Sequence, residues 1–117
     1  MGGYPTRNYQ AMSSFLRHTL GLEPRFEEPT TAEFATAEDD RFQVMAPGDP
    51  YYDFFTTHAT GPVPLFEVDD VIRARQELVD AAVPIIGETR TDWAWQWIQF
   101  RAPDGNLYEL ASRQRRG

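Results

Sequence analysis

A pattern that recurs after about sixty residues constrains the fold of this chain more than any other feature. Residues 11–24 and residues 71–84 both carry apolar side chains at helical spacing, and both segments end at a proline. A repeat of this length indicates two structural units that are built alike. We therefore predict two helices, over residues 9–20 and 70–82, at equivalent places in the two halves of the chain.

The ends of both predicted helices carry residues that are typical of helix boundaries. Gly21 is a natural helix stop, and Pro24 prevents the first helix from continuing. At the start of the second helix, Asp69 or Asp70 can accept hydrogen bonds from backbone N–H groups that have no partner within the helix. Both helices therefore have recognisable boundaries.

Strand-like runs accompany each helix and give each half the order β-α-β-β-β. The sequence predicts an α+β fold in one domain, with a first module over residues 1–46 and a second over residues 63–112. Residues 47–62 connect the modules, and residues 113–117 form an arginine-rich tail. The predicted strands cover residues 3–8, 24–28, 31–36 and 41–46 in the first half, and residues 84–89, 93–101 and 106–112 in the second. The second half opens at residues 63–70 with a buried strand that runs into the start of a helix.

The connecting segment is unusually rich in aromatic residues. A plain linker is small and polar, so we expect this segment to pack its rings against something, either as a lid or as a patch that faces a partner. His58 lies in the same segment and is either an acid–base group of a pocket or an ordinary loop residue. The four aromatic residues are Tyr51, Tyr52, Phe54 and Phe55.

The charge of the chain limits its partners. The 18 acidic and 11 basic residues give a formal net charge of −7 and a pI of about 4.7. A surface of this sign repels nucleic acid, whereas it tolerates neutral or cationic small molecules. The absence of cysteine excludes disulfides, thiolate metal sites and a cysteine nucleophile.

The apolar segments of the chain are short. None reaches the roughly 18 residues that span a bilayer, and the N-terminal segment lacks the apolar region of a secretory signal. We therefore expect a cytoplasmic protein with no membrane partner. All 11 basic residues are arginine, which is a usage typical of GC-rich bacterial genomes.

One carboxylate stands among apolar residues near the C-terminus. Glu109 lies in the strand predicted over residues 106–112, and a carboxylate is costly to bury without a partner. Glu109 either faces a polar cavity as a ligand-binding or catalytic group, or it is paired with Arg101 or solvated.

Trp93, Trp95 and Trp97 alternate with other residues along one predicted strand. A period of two puts all three indoles on one face, and the register of the following turn puts that face on the side of Arg101 and Glu109. The indoles would then form a platform for a planar or cationic ligand. The alternative is that they pack in the core or at a dimer interface.

Three segments of the sequence resemble the vicinal oxygen chelate superfamily. They are residues 15–22, the helix entry at residues 66–71, and the run Pro-Asp-Gly-Asn-Leu-Tyr-Glu-Leu at residues 103–110. This superfamily contains glyoxalase I, the bleomycin-resistance proteins, the fosfomycin-modifying enzymes and the extradiol dioxygenases. The resemblance implies two modules whose curved mixed sheets form an open, barrel-like cavity, commonly built across a homodimer.

The resemblance also implies where metal-using members hold their metal. Glu109 matches the carboxylate ligand on the last strand, and Gln43 is its counterpart in the first half. The two opening-strand positions fall at Val63 and near Gly3, which offer no ligand atoms in their side chains. A catalytic divalent metal needs about three protein ligands. We therefore expect no cofactor and no metal, and Glu109 as the ligand if any metal binds.

Two functions from different classes fit these observations. The first is a non-enzymatic protein that binds or sequesters a planar or cationic aromatic molecule, as in antibiotic resistance of the bleomycin type. The second is an enzyme with an atypical site, a lyase, isomerase, transferase or dioxygenase, in which Glu109 acts with His58 or Gln43. The predicted ligand-binding residues are Trp93, Trp95, Trp97, Arg101, Glu109 and Gln43.

Overall fold

The computed structural model of the protein describes residues 3–114. This part of the chain forms two compact units, and the division falls between Pro62 and Val63. Each unit has one four-stranded sheet with its own helices. Within the described residues, every helix is too short or too polar to cross a lipid bilayer.

The first unit contains four strands, two α-helices and a π-helical turn. In chain order its elements are β1 (Gly3–Pro5), α1 (Tyr9–Ser14), the π-helical turn (Phe15–Thr19), β2 (Glu23–Glu27), β3 (Thr31–Ala35), β4 (Arg41–Met45) and α2 (Tyr52–His58). The strand order is β1-β4-β3-β2. Strand β1 runs parallel to β4, whereas the other neighbours are antiparallel.

The second unit repeats this plan with one helix. Its elements are β5 (Leu65–Glu67), α3 (Val71–Asp80), β6 (Ile85–Thr91), β7 (Trp95–Arg101) and β8 (Leu107–Arg113). The strand order is β5-β8-β7-β6, with β5 parallel to β8 and the remaining pairs antiparallel. The α+β class, the mixed sheets and the two β-α-β-β-β modules predicted from the repeat are therefore confirmed.

The first helix widens in its second half. The N–H of Leu20 donates to the carbonyl of Phe15 at 3.0 Å, five residues earlier, as in a π-helix. Leu16 is buried in this turn. Gly21 then takes a positive φ of 71°, which glycine adopts without steric cost, and the helix ends where the sequence predicted.

A compact apolar cluster holds α1 against the sheet of the first unit. Tyr9 belongs to this cluster, and its hydroxyl donates to the carbonyl of Glu28 at 2.7 Å. Burial raises the pKa of the Tyr9 phenol above its usual value. The buried members are Tyr9, Leu16, Ala32, Phe34, Val44 and Ala46.

The structure adds a helix that the sequence did not predict. Helix α2 lies in the connecting segment over residues 47–62, and this segment clusters with the first unit. Phe55 is buried, and its ring meets that of Phe54 edge-on at a centroid distance of 5.9 Å. Phe55 is therefore the aromatic residue of this segment that packs in the interior.

The sequence analysis assigned Arg113 to the C-terminal tail, whereas the structure places it in a strand. It is the last residue of β8, one residue beyond the predicted module boundary. Its N-terminal neighbour Ser112 helps to anchor α3, because the Ser112 hydroxyl oxygen accepts a hydrogen bond from the N–H of Val71 at 3.0 Å. The tail residues 115–117 lie outside the described part of the chain.

Asp70 is the residue that caps α3. Its Oδ1 accepts hydrogen bonds from the N–H groups of Ile72 at 3.0 Å and Arg73 at 3.2 Å. Of the two candidates from the sequence, Asp70 therefore satisfies the free donors at the helix start.

We predict that Asp70→Ala lowers the free energy of unfolding by about 1 kcal/mol, because two backbone donors lose their acceptor. In a domain of this size the change corresponds to a fall in Tm of about 4 °C, measured by circular dichroism. Asp69→Ala is the matched control, since it removes the neighbouring carboxylate and keeps the cap. Equal shifts in the two variants would contradict the assignment of the cap.

Candidate functional site

One face of the second sheet carries most of the predicted site residues. Paired residues on antiparallel strands share a face, and Ser112 contacts α3 from the opposite face. We call the face without the helix the tryptophan face. Its residues on β7 and β8 are the pairs Trp95 with Arg113, Trp97 with Ala111, Gln99 with Glu109, and Arg101 with Leu107.

Glu109 is fully buried on the tryptophan face. Its side chain is 0% exposed, and Oε2 accepts a hydrogen bond from Nε2 of Gln99 at 2.7 Å. The backbone N–H of Glu109 donates to the carbonyl of Pro64 at 2.9 Å, which fixes the strand beside β5. The solvated alternative for Glu109 is therefore wrong, and the carboxylate is held by a cross-strand amide.

Gln99 lies on the face that the sequence pattern predicted, although it was not among the predicted ligand-binding residues. It is 1% exposed, and its Oε1 is buried without a hydrogen-bond partner among the described residues. A carboxylate accepts hydrogen bonds and does not donate them, so the amide turns its NH₂ group toward Glu109. The alternation Trp97-Gln99-Arg101 was the sequence signal that places Gln99 on this face.

Trp95 already has a partner on one side of its ring. The guanidinium carbon of Arg113 lies 4.5 Å from the centroid of the indole, which is a cation–π contact. The sequence analysis missed Arg113 as a residue of this face because it assigned Arg113 to the tail. The period of two that links Glu109, Ala111 and Arg113 along β8 would have placed it on the face.

Trp97 is the buried tryptophan of this face. It is 6% exposed and lies opposite Arg90 of β6 in the strand register. At the far end of the face, Nη1 of Arg101 donates to the carbonyl of Gly105 at 2.8 Å. Arg101 therefore closes the β7–β8 turn as well as sharing the face with Glu109.

Trp93 does not belong to this row, and the prediction of three indoles on one strand is wrong. Strand β7 begins at Trp95, because the carboxylate of Asp92 accepts hydrogen bonds from the N–H groups of Ala94 at 2.8 Å and Trp95 at 2.7 Å. This Asx turn bends the chain before the strand starts. Trp93 is left at the corner and is 82% exposed.

Gln43 and His58 lie in the first unit. Nε2 of Gln43 donates to the hydroxyl oxygen of Thr31 at 2.8 Å, within the sheet of that unit. His58 is the last residue of α2, with its ring 4.7 Å from the ring of Phe54. Each residue therefore has a local structural partner.

The strand register shows which residues lie beside the last strands. Gly3 pairs with Gln43 in parallel strands, and Leu65 pairs with Glu109 in the same way. Val63, the opening-strand position named in the sequence analysis, lies two residues before Leu65 in an isolated β-bridge. The offset between the halves is thus 62 residues at the opening strands and 66 at the last strands, since the hairpins of the second half are longer.

The side chains at these positions do not fit a metal centre. Leu65 is apolar and Gly3 has no side chain, and a Cβ on Gly3 would collide with the carbonyl of Gln43. Between residues 3 and 114, no group of three or more histidine, aspartate or glutamate side chains is arranged to hold a metal ion. Of the positions implied by the resemblance, Glu109 and Gln43 are the two whose side chains carry an oxygen atom that could bind a metal. A typical catalytic metal site has three protein ligands.

Two surface depressions lie among the described residues. One, of about 260 Å³, sits at the start of α3, and its lining includes Asp70, Gln96 and Ser112 together with Arg113 at the end of β8. Gln96 and Ser112 point to the helix side of the sheet. A second depression, of about 210 Å³, lies beside α2 in the first unit.

The sequence itself identifies the family. Residues 3–110 match the model of the Glyoxalase/Bleomycin resistance protein/Dioxygenase superfamily, and the chain therefore belongs to this superfamily. The resemblance drawn from residues 15–22, 66–71 and 103–110 is confirmed. No protein of curated function matches the sequence significantly.

Solved structures share the fold at low sequence identity. A hypothetical protein from Bacillus halodurans is 17% identical with a TM-score of 0.75, over 99% of this chain and 94% of that one. Methylmalonyl-CoA epimerase from Mycobacterium tuberculosis is 19% identical with a TM-score of 0.73, over 97% and 86%. A protein described as an NAD-dependent benzaldehyde dehydrogenase from Legionella pneumophila is 17% identical with a TM-score of 0.72, over 97% of both chains. These relatives establish the fold and leave the chemistry to the residues of the site.

We predict that the protein purified without chelator carries far less than one equivalent of manganese, iron, nickel or zinc per chain, measured by inductively coupled plasma mass spectrometry. Reloading with each metal should leave Tm unchanged, because a site with too few ligands gives little binding free energy. Glu109→Gln is the control for any metal that is retained. Near-stoichiometric metal that is lost in this variant would favour the enzyme alternative.

Proposed function

We propose that this protein binds a small planar aromatic molecule, neutral or cationic, without a metal ion. The observation that carries the proposal is the buried carboxylate of Glu109, which accepts a hydrogen bond from Gln99. Glu109 lies on the same face of the sheet as Trp95 and Trp97. The residues beside Gln43 and Glu109 on the opening strands are Gly3 and Leu65, and neither side chain offers a metal ligand. The face therefore offers charge and aromatic surface in place of metal ligands.

The chemistry of the tryptophan face supports this ligand class. An indole stacks on a planar ring with a contribution of about 0.5–1.5 kcal/mol, and a desolvated cation over a ring adds about 2 kcal/mol. Glu109 is the carboxylate near the middle of the face, and the strand register puts Arg90, Arg101 and Arg113 on the same face. The overall charge of −7 favours neutral or cationic molecules over anions.

Arg113 limits how much of the Trp95 indole a ligand can contact. One side of this indole is already covered by the guanidinium group. A cationic ligand on that side must displace Arg113, and the exchange of one cation for another brings little net gain. We therefore assign the larger role to Trp97, with Trp95 contributing its remaining surface.

We test the proposal by titrating intrinsic tryptophan fluorescence with a panel of planar aromatic compounds, including cations and bleomycin-type glycopeptides. We expect saturable quenching that weakens about tenfold in Trp97→Leu and in Glu109→Gln, since about 1.4 kcal/mol is one decade of affinity. Trp95→Ala should have a smaller effect. Trp93→Ala is the matched control, because it removes an exposed indole outside the strand.

Two results would contradict the proposal. Ligands that bind equally well to wild type, Trp97→Leu and Glu109→Gln would place their site elsewhere. A loss of binding in Trp93→Ala, with no loss in Trp97→Leu, would place it at the β6–β7 turn.

We also propose that the protein forms a homodimer. Superfamily membership supports this assembly, and so does an aromatic group on the second unit, in which Phe66 lies 6.3 Å from Tyr108 and Tyr108 lies 5.9 Å from Phe100 between ring centroids. Phe66 is exposed in the single chain, and exposed aromatic groups are common at interfaces.

Light scattering coupled to size-exclusion chromatography should give twice the 13.4 kDa mass of the chain. We expect Phe66→Glu to shift the mass toward that of the monomer, because it places a charge in an apolar contact. Ile72→Glu, at an exposed position of α3, is the control. A monomeric wild type would contradict the dimer.

A further inference from the structure

The depression at the start of α3 is lined by charges of both signs. Asp69 and Asp70 precede the helix, whereas Arg113 comes from the end of β8. Among residues 3–114, neither aspartate forms a salt bridge with Arg113. Opposite charges that line one depression without meeting can both be paired by a molecule that carries both signs.

The two aspartates differ in how far their carboxylates are already used. Oδ1 of Asp70 accepts hydrogen bonds from the N–H groups of Ile72 and Arg73, as the cap of α3. Asp69 is exposed, and its carboxylate has no such donor within the described part of the chain. Asp69 is therefore the carboxylate that remains available to an ammonium group.

Arg113 is the cation of this depression. It is exposed, and its guanidinium carbon lies 4.5 Å from the centroid of the Trp95 ring. The contact with the ring does not neutralise the charge, and a guanidinium group has five N–H donors. A carboxylate accepts such donors in pairs, so Arg113 offers a binding partner for a carboxylate.

Uncharged groups complete the lining. Ser112 is 3% exposed, and its oxygen accepts a hydrogen bond from Val71, which leaves its hydroxyl hydrogen available as a donor. Gln96 is paired with Ser112 in the strand register and adds an amide that both donates and accepts. Ile72 is half exposed and provides an apolar contact. The depression thus offers hydrogen bonds and apolar surface beside its charges.

The backbone at the start of α3 does not make this depression an anion site. The first four N–H groups of the helix already donate to Ser112 or Asp70. A simple anion would also meet the carboxylates of Asp69 and Asp70, and a simple cation would meet Arg113. A molecule with one charge of each sign avoids both conflicts.

We propose that this depression binds a small zwitterion of the α-amino acid class, with its ammonium group at Asp69 and its carboxylate at Arg113. The volume of about 260 Å³ lies just below the range of about 300–1,000 Å³ of typical ligand pockets, which suits a molecule of this size. The lining includes neither Trp97 nor Glu109, so the inference is independent of the function proposed above.

The experiment titrates wild type with three probes that share one side chain and differ in charge. Leucine is a zwitterion, leucinamide is a cation and N-acetylleucine is an anion. Two-dimensional ¹H–¹⁵N NMR follows the side-chain amide of Gln96 and the backbone amide of Ser112. We expect leucine to bind about fivefold more tightly than either of the other probes, which is the upper range for one exposed charge pair.

Two substitutions each remove one of the charges. Arg113→Gln should lower the affinity for leucine to that for leucinamide, and Asp69→Asn should lower it to that for N-acetylleucine. Arg73→Gln and Glu77→Gln are the matched controls, because both residues are exposed on α3 and neither lines the depression. Both controls should keep the preference for leucine.

Four results would overturn the inference. One is that leucine binds wild type no more tightly than the other two probes, a comparison that needs no substitution. Another is that leucine binds without moving the signals of Gln96 and Ser112. The third is a preference for leucine that survives either Arg113→Gln or Asp69→Asn. The last is an equal loss in the two control variants, which would assign the effect to the overall charge of the surface.

Discussion

The hydrogen bond between Gln99 and Glu109 is the interaction on which the candidate site depends. It joins the two central strands of the second sheet and holds a fully buried carboxylate in one orientation. A buried charge without partners would cost more than a small domain can offset. The amide of Gln99 meets part of this requirement, and its Oε1 has no hydrogen-bond partner among the described residues. The same pair therefore links the stability of the sheet to the chemistry of its face.

The parallel strand pairs decide which side chains lie beside Glu109 and Gln43. Each opening strand lies beside the last strand of its own half. A metal-binding side chain on the last strand would therefore find its nearest possible co-ligand on the opening strand. In this chain Gly3 and Leu65 occupy the neighbouring positions. Gly3 is further constrained because its backbone approaches Gln43 too closely for any side chain. Apolar packing and strand pairing stabilise the fold independently of these positions.

Some of the site could be predicted from the sequence and some could not, for identifiable reasons. The shared face of Trp95, Trp97 and Glu109 followed from the period of a strand and the length of the turn. Trp93 was misplaced because Asp92 captures two backbone N–H groups and delays the strand by two residues. Such local competition between a side chain and the sheet is not visible in an apolar pattern. The helix α2 was missed because its seven residues are too few to show a clear helical period.

The sequence by itself determined the superfamily, the two β-α-β-β-β modules and the approximate boundaries of the first helix and of α3, because periodicity, glycine stops and caps are local properties of the chain. Only the tertiary structure decided that Leu65 is the partner of Glu109 and that Gln99 holds the carboxylate. It also decided that Arg113 covers Trp95. These three facts depend on the register between strands that are distant in sequence. A shift of one residue in that register would send each side chain to the other face of the sheet.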